Sequence, residues 1–135
     1  MPKRETPPAL GKLELKIMQA LWKKQPATAR QITEAVNVGA GRAVAHSTVQ
    51  TLLRKMEAKN AITHEEQERV FLFRARFAEE EVTASATADL LGRVFGGSAT
   101  ALVAHLLRRE DVSEAERARL RALISETDDA TGDEK

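Results

Sequence analysis

Residues 45–75 read AHSTVQTLLRKMEAKNAI followed by THEEQERVFLFRA. At about 100° per residue, Val49, Leu52, Leu53 and Met56 follow the i, i+3, i+4, i+7 spacing of one apolar helical stripe. The opposite face carries Ser47, Gln50, Thr51, Arg54 and Ala58, none of them acidic. The second part predicts two short strands, about 61–64 and 69–74, around the acidic turn Glu65-Glu66-Gln67-Glu68. A helix followed directly by a hairpin is the layout of a winged helix-turn-helix. The polar face also has the chemistry of a DNA major-groove reader: Gln pairs with adenine, Arg with guanine, and Ser or Thr with base or phosphate.

Charge distribution points the same way. The whole chain is nearly neutral at +1, but residues 1–76 hold 14 Lys and Arg against 7 Asp and Glu, a net +7. Residues 77–135 hold 7 against 13, a net −6. Such an asymmetry suggests that the first part faces a polyanion. That part contains the candidate reading helix.

Composition sets outer limits. With 135 residues, 42% apolar and 30% charged, the chain suits one globular domain or two small ones. No apolar run approaches the roughly 20 residues that span a bilayer, and MPKRETPPALGK lacks the apolar stretch of a signal peptide. A cytoplasmic protein without membrane insertion is expected. There is no Cys, which removes disulfides and thiolate chemistry. His46, His64 and His105 are scattered, so no metal or other cofactor is expected. No Ser or Thr lies in a nucleophile elbow and no glycines follow a phosphate-loop pattern, so the chain does not read as an enzyme.

Upstream of the reading helix, residues 1–9 hold three of the four prolines and read as a flexible arm. Lys3 and Arg4 in it could touch phosphate. A first helix is predicted over 12–24, with Leu15, Met18, Leu21 and Trp22 on one face and Pro26 closing it. Thr28 is a suitable N-cap for a second helix over 29–36 that buries Ile32, Ala35 and Val36. VGAGRA is the turn into the third helix, and Arg42 within it could reach a DNA backbone. His46, at the start of the third helix, is either a phosphate or base contact or a partly exposed spectator. Asn60 should end that helix, because Asn tolerates the left-handed conformation found there. Phe71, Phe73 and Phe77 are expected to pack on the helices. The acidic hairpin tip should leave wing contacts to Arg69 or Arg74.

Downstream, a helix over 79–95 brings Val82, Ala86, Leu90, Val94 and Phe95 near one another. Gly96-Gly97 breaks it. Ser98 can cap a short apolar helix over 99–107 that carries Leu102 and Leu106. Ser113 with Glu116 forms a capping box for a last helix carrying Leu120, Leu123 and Ile124. Three such helices do not easily seal a core in about 50 residues, so their apolar faces are expected to close against an identical partner. A compact monomeric bundle is the other reading. The tail TDDATGDEK, 127–135, reads as disordered and acidic.

The segments LGKLELKIMQALW, ATARQITEAV, AHSTVQTLLRKMEAKNAI and RVFLFRA together resemble the DNA-binding domain of the BlaI/MecI penicillinase-repressor family. DLLGRVFGGSATALVAHLL resembles that family's dimerisation region. The likeness runs from about Leu10 to Ile124, and STVQTLLRKM and VFGGS are its most specific pieces. It implies a mainly α fold with a small β-hairpin wing: a winged helix-turn-helix over 10–76, then a three-helix dimerisation region over 77–126. It also implies a homodimeric repressor on a palindromic double-stranded operator, inactivated when a membrane sensor protease cuts the dimerisation region. Carried over by residue, Ser47, Thr48, Gln50, Thr51 and Arg54 would read bases, with Thr28–Arg30 and Arg69 as backbone anchors. The chain departs from the family in having Asn60 where relatives usually have Gly. The absence of Cys excludes metal sensing of the CopY type. The family's Asn-Phe cut site falls in register with His105-Leu106, which leaves cleavage at another bond, or a different trigger, open. Two rival functions share the fold: a winged helix that binds an acidic protein, and a nonspecific architectural DNA binder, which would show a small specificity ratio.

Overall fold

The structure is a computed structural model that describes residues 5–132, with side chains described for residues 5–126. Its elements, in order, are α1 (Lys12–Lys23), α2 (Ala29–Asn37), α3 (His46–Ala58), β1 (Ile62–Gln67), β2 (Val70–Ala75), α4 (Glu79–Val94), α5 (Ala99–Arg108) and α6 (Glu114–Gly132). The chain forms two units that divide within α4, one reaching to Thr87 and the other starting at Ala88. The expected boundary at residue 76 therefore falls too early. Phe77 and Val82 are buried in the core of the first unit, so that unit keeps the first turns of α4.

The core of the first unit is built from one face of each of its first three helices. Ile17, Met18 and Leu21 of α1 meet Ile32 and Val36 of α2 and Val49, Leu53 and Met56 of α3. Ala61, Ile62 and Phe73 close the cluster from the hairpin side. The buried face of α1 is rotated from the expected one. Leu15 and Trp22 are only half-buried, because α1 packs on both α2 and β2 and turns Ile17 inward between them. The Trp22 indole N–H donates to the Phe77 carbonyl at 2.9 Å. In α2 the exposed Ala35 does not join Ile32 and Val36.

Helix α3 ends as expected at Asn60, whose φ is +65°. The Ala61 N–H reaches the Met56 carbonyl at 2.8 Å and the Asn60 N–H reaches Glu57 at 3.0 Å, the paired bonds of a Schellman end. Next to it lies the one buried carboxylate among the described residues. Glu14 accepts from the Gly11 N–H at 2.7 Å and pairs with Lys59 at 2.8 Å. Lys59 also donates to the Ala9 carbonyl at 2.9 Å, and Arg76 pairs with Glu5 at 2.9 Å. The arm from residue 5 onward is thus tied to the body, while Lys3 and Arg4 lie outside the described residues.

The strands are antiparallel; the first is longer than expected and the second is displaced by one residue. The register pairs Ile62 with Ala75 and Gln67 with Val70, which leaves Glu68-Arg69 as a two-residue turn. Both turn residues have positive φ, +52° and +67°, as the tight turns that match strand twist require. Glu65, Glu66 and Gln67 belong to β1 and not to the turn. Ala27 and Phe73 exchange hydrogen bonds of 3.1 and 2.8 Å, so the segment before α2 pairs with the base of the hairpin.

In the second unit, Gly96 and Gly97 have φ of +56° and +84° and turn the chain out of α4. Ser98 accepts from the Ala101 N–H at 3.0 Å, and Ser113 from the Glu116 N–H at 3.1 Å, which starts α5 and α6 where the sequence placed them. Helix α6 continues to Gly132, past residue 126 where the tail was expected to begin. Residues 133–135 lie outside the described residues. None of the described side chains of this unit is buried, and Val94 and Leu123 are 64% and 58% exposed. Leu90 and Ile124 are exposed as well, as is Ala86 near the end of the first unit. Phe95, Leu102, Leu106 and Leu120 are half-buried. Val82 is the exception among the expected interface residues, since it is already buried in the first unit. No single helix among the described residues is long and apolar enough to cross a membrane.

Burial pushes the Glu14 carboxyl up, but the Gly11 N–H and the Lys59 and Lys55 charges outweigh it, and the net pKa is lowered. A depressed folded-state pKa adds stability that is present above the unfolded-state value and lost as pH falls through the folded one. Glu14→Gln is expected to cost about 1–3 kcal/mol near neutral pH. The gap from wild type, measured by urea unfolding, should shrink as pH drops below the ordinary glutamate value of about 4.3. A gap independent of pH would mean that the carboxylate charge contributes nothing.

Candidate nucleic-acid interface

Burial of Val49, Leu53 and Met56 turns Ser47, Thr48, Gln50, Thr51 and Arg54 outward, and all five are exposed. Within this face Thr51 donates its hydroxyl to the Ser47 carbonyl at 3.0 Å and accepts from Arg54 at 3.4 Å. Its proton is therefore used locally, and it offers a methyl group and a lone pair outward. Arg54 is laid back along the helix by the same contact.

Helix α2 sets the angle of α3. Asn37 donates to the carbonyls of Thr33 and Val44, each at 3.0 Å, and accepts from the Val44 N–H at 2.6 Å, which fastens the turn between the helices. A second link joins Thr33 to His46 Nδ1 at 2.8 Å. The Thr33 hydroxyl already donates to the Ala29 carbonyl at 2.9 Å, so His46 must be the donor in this bond. His46 is thus half-buried and structurally engaged through Nδ1, with Nε2 as its remaining polar atom. At the other end of α2, Thr28 accepts from the Gln31 N–H at 3.1 Å and Gln31 returns a bond to the Thr28 N–H at 2.9 Å, a complete capping box.

A groove of about 520 Å³ runs between the start of α2, the outer side of α3 and the hairpin. Thr28, Arg30, Gln50, Arg54 and Arg69 line it, together with apolar Leu53, Val70 and Phe71. Five of the ten residues proposed from sequence are therefore brought to one place. Ser47, Thr48 and Thr51 lie on the same helix outside the groove, and Arg42 is exposed in the turn before it. Among the described residues, Arg30, Arg42, Arg54 and Arg69 have no carboxylate within ion-pair distance, whereas Arg74 lies 3.7 Å from Glu65. Among the described residues Arg69 is therefore the wing arginine without an ion pair, and it sits in the turn itself.

Four nearby residues were not singled out as site residues by the sequence reading. Lys55 is exposed next to Arg54, on the flank between the apolar stripe and the polar face of α3. Glu57 and Phe71 also line the groove, and His64 pairs with Glu57 at 2.7 Å. The Glu57–His64 contact joins a helix to a strand across the wing, and no local pattern announces it.

An exposed amide-and-guanidinium helix, a capped helix beside it and a hairpin with a cation at its tip define a winged helix-turn-helix protein. The chain belongs to the penicillinase repressor family, whose model matches residues 10–126. It is 31% identical over 112 residues to the transcriptional regulator BlaI of Mycobacterium tuberculosis, covering 82% of this chain and 80% of that one. It is 22% identical over 116 residues to the methicillin resistance regulatory protein MecI of Mammaliicoccus sciuri, covering 86% and 93%. Among solved structures, a mutant of Lactococcus lactis ZitR aligns over 97% of this chain and 82% of its own, at 16% identity and a TM-score of 0.46. The family is one of transcriptional repressors, not enzymes.

Proposed function

We propose that the protein is a cytoplasmic, homodimeric transcriptional repressor that binds a pseudo-palindromic operator in double-stranded DNA. One observation carries this reading: the outer face of α3 is uncommitted to the fold and flanked on one groove by Arg30, Arg54 and Arg69. Gln50 and Arg54 are the base readers, assisted by Ser47, Thr48 and the Thr51 methyl group. Arg30, Arg42 and Arg69 anchor to phosphate, and Thr28 holds the start of α2 against the backbone. His46 adds at most an Nε2 contact, since its other nitrogen holds α2.

Dimerisation is supported by the second unit, which leaves Leu90, Val94, Leu123 and Ile124 exposed and buries none of its described side chains. An identical partner covers such faces, and two linked readers gain affinity through effective concentration. Two-fold symmetry then expects half-sites about one helical turn apart. The same unit is where an inducing signal acts on this reading. Proteolysis there, for example by a membrane sensor protease, separates the two readers without touching either. His105 and Leu106 lie inside α5, so a cut between them requires that helix to open first.

Arg54→Ala is expected to relax base preference at one position of each half-site and to cost about 1–3 kcal/mol of operator binding. Fluorescence anisotropy on duplexes varied base by base reads both effects, and an equal loss on every duplex would make Arg54 a phosphate contact instead. Leu106→Glu should yield monomers by light scattering, with weakened DNA binding. Dimers that persist would remove Leu106 from the interface.

A further inference from the structure

The hairpin is firmly held only at its base. On its inner face Ile62 is 1% exposed and Phe73 6%, but Phe71, nearer the tip, is 46% exposed. A two-stranded hairpin is marginal by itself in water, so its orientation depends on what ties it to the helices. The Ala27–Phe73 pair ties the base. From Phe73 to Arg69 the strand then runs four residues, a lever of about 13 Å. A rotation of about 10° at the base would move the tip by about 2 Å, enough to break any hydrogen bond made there.

Among the described residues one ion pair joins the hairpin to α3, made by His64, which stands opposite Phe73 and reaches toward the tip through its ring. His64 Nδ1 donates to the Glu57 carboxylate at 2.7 Å. The same imidazole stacks on Phe71, with ring centres 4.2 Å apart and planes 18° from parallel, and leans on Phe73 at 5.7 Å. Glu57 stands one turn beyond Arg54 on α3, in the wall of the reading groove. The carboxylate therefore grips the imidazole, the imidazole holds the Phe71 ring, and Phe71 is two residues from Arg69. Among the described residues Glu57 is also the only acidic group lining that groove, and the bond occupies a carboxylate that would otherwise stand free beside Arg54.

We infer that Glu57 and His64 form a latch that positions the wing against α3, and that the contact of Arg69 with DNA depends on it. His64 is a positioning residue here; it acts through Arg69 and touches no DNA. The inference rests on the DNA-reading assignment above for its second half, while the latch itself is independent of DNA.

The test is a double-mutant cycle of His64→Phe and Arg69→Ala, read on the duplex most enriched from sheared genomic DNA. His64→Phe keeps an aromatic ring on Phe71 but removes the bond to Glu57. In wild type, Arg69→Ala should lower the slope of log K against log salt by about 0.9, one phosphate contact. In the His64→Phe background the same change should lower it by nothing further. His64→Asn, which retains a donor for Glu57 but gives up the ring on Phe71, should abolish the Arg69 contribution as well, because the latch needs both contacts. Backbone order parameters of residues 67–71, measured on the full chain without DNA, should fall in His64→Phe and in His64→Asn. Equal Arg69 effects in both backgrounds, or unchanged order parameters, would overturn the latch. A wild-type protein with no preference for the duplex would overturn the operator reading instead, and the order parameters would still decide the latch.

Discussion

The burial of Val49, Leu53 and Met56 is the constraint on which the rest of the first unit depends. Once these side chains are packed against Ile17, Met18, Leu21 and Ile32, the rotation of α3 about its own axis is set. The outward direction of Gln50 and Arg54 follows from the 3.6-residue period and needs no further interaction. What remains free is the tilt of α3 and the position of the two elements beside it. Asn37 settles the tilt by fastening the turn after α2, and Ala27 pairs with Phe73 to seat the wing. The reading surface is therefore a by-product of the core: each polar residue on it faces water because the apolar stripe on the opposite side of the helix cannot.

Much of this was legible in the sequence because it is local. The α3 stripe, the Thr28 cap, the left-handed Asn60 and the Ser98 and Ser113 starts are each written within a few residues of where they act. The hairpin was harder. Its turn uses Glu68 and Arg69 at positive φ, where Asn-Gly is the readable signal and non-glycine residues are disfavoured. The acidic run therefore looked like a loop, although most of it is strand. The remaining misses are long-range. Glu14 meets Lys59, Val82 joins the core of the first unit, and Glu57 meets His64, all through tertiary placement that no period in the sequence encodes.

The two units divide the labour by charge as well as by packing. The basic unit has a buried core and an exposed polar face, the mark of a domain that folds alone and reads something else. The acidic unit has exposed apolar side chains and no buried residue among those described, which is what the proposed dimer would cover. On the proposed dimer a single unit contacts few base pairs, so affinity for a two-fold operator would fall steeply once the pairing of the second units was lost.

The central claim is that α3 reads sequence, and selection from genomic DNA tests it most directly. Purified protein would be mixed with fragmented DNA of its source genome at about 150 mM salt, and the retained fragments sequenced. Enrichment of a few promoter fragments that share a dyad-symmetric motif is the predicted result. Retention without a common motif, or no retention, would contradict the account and leave the outer face of α3 to nonspecific DNA or to an acidic protein.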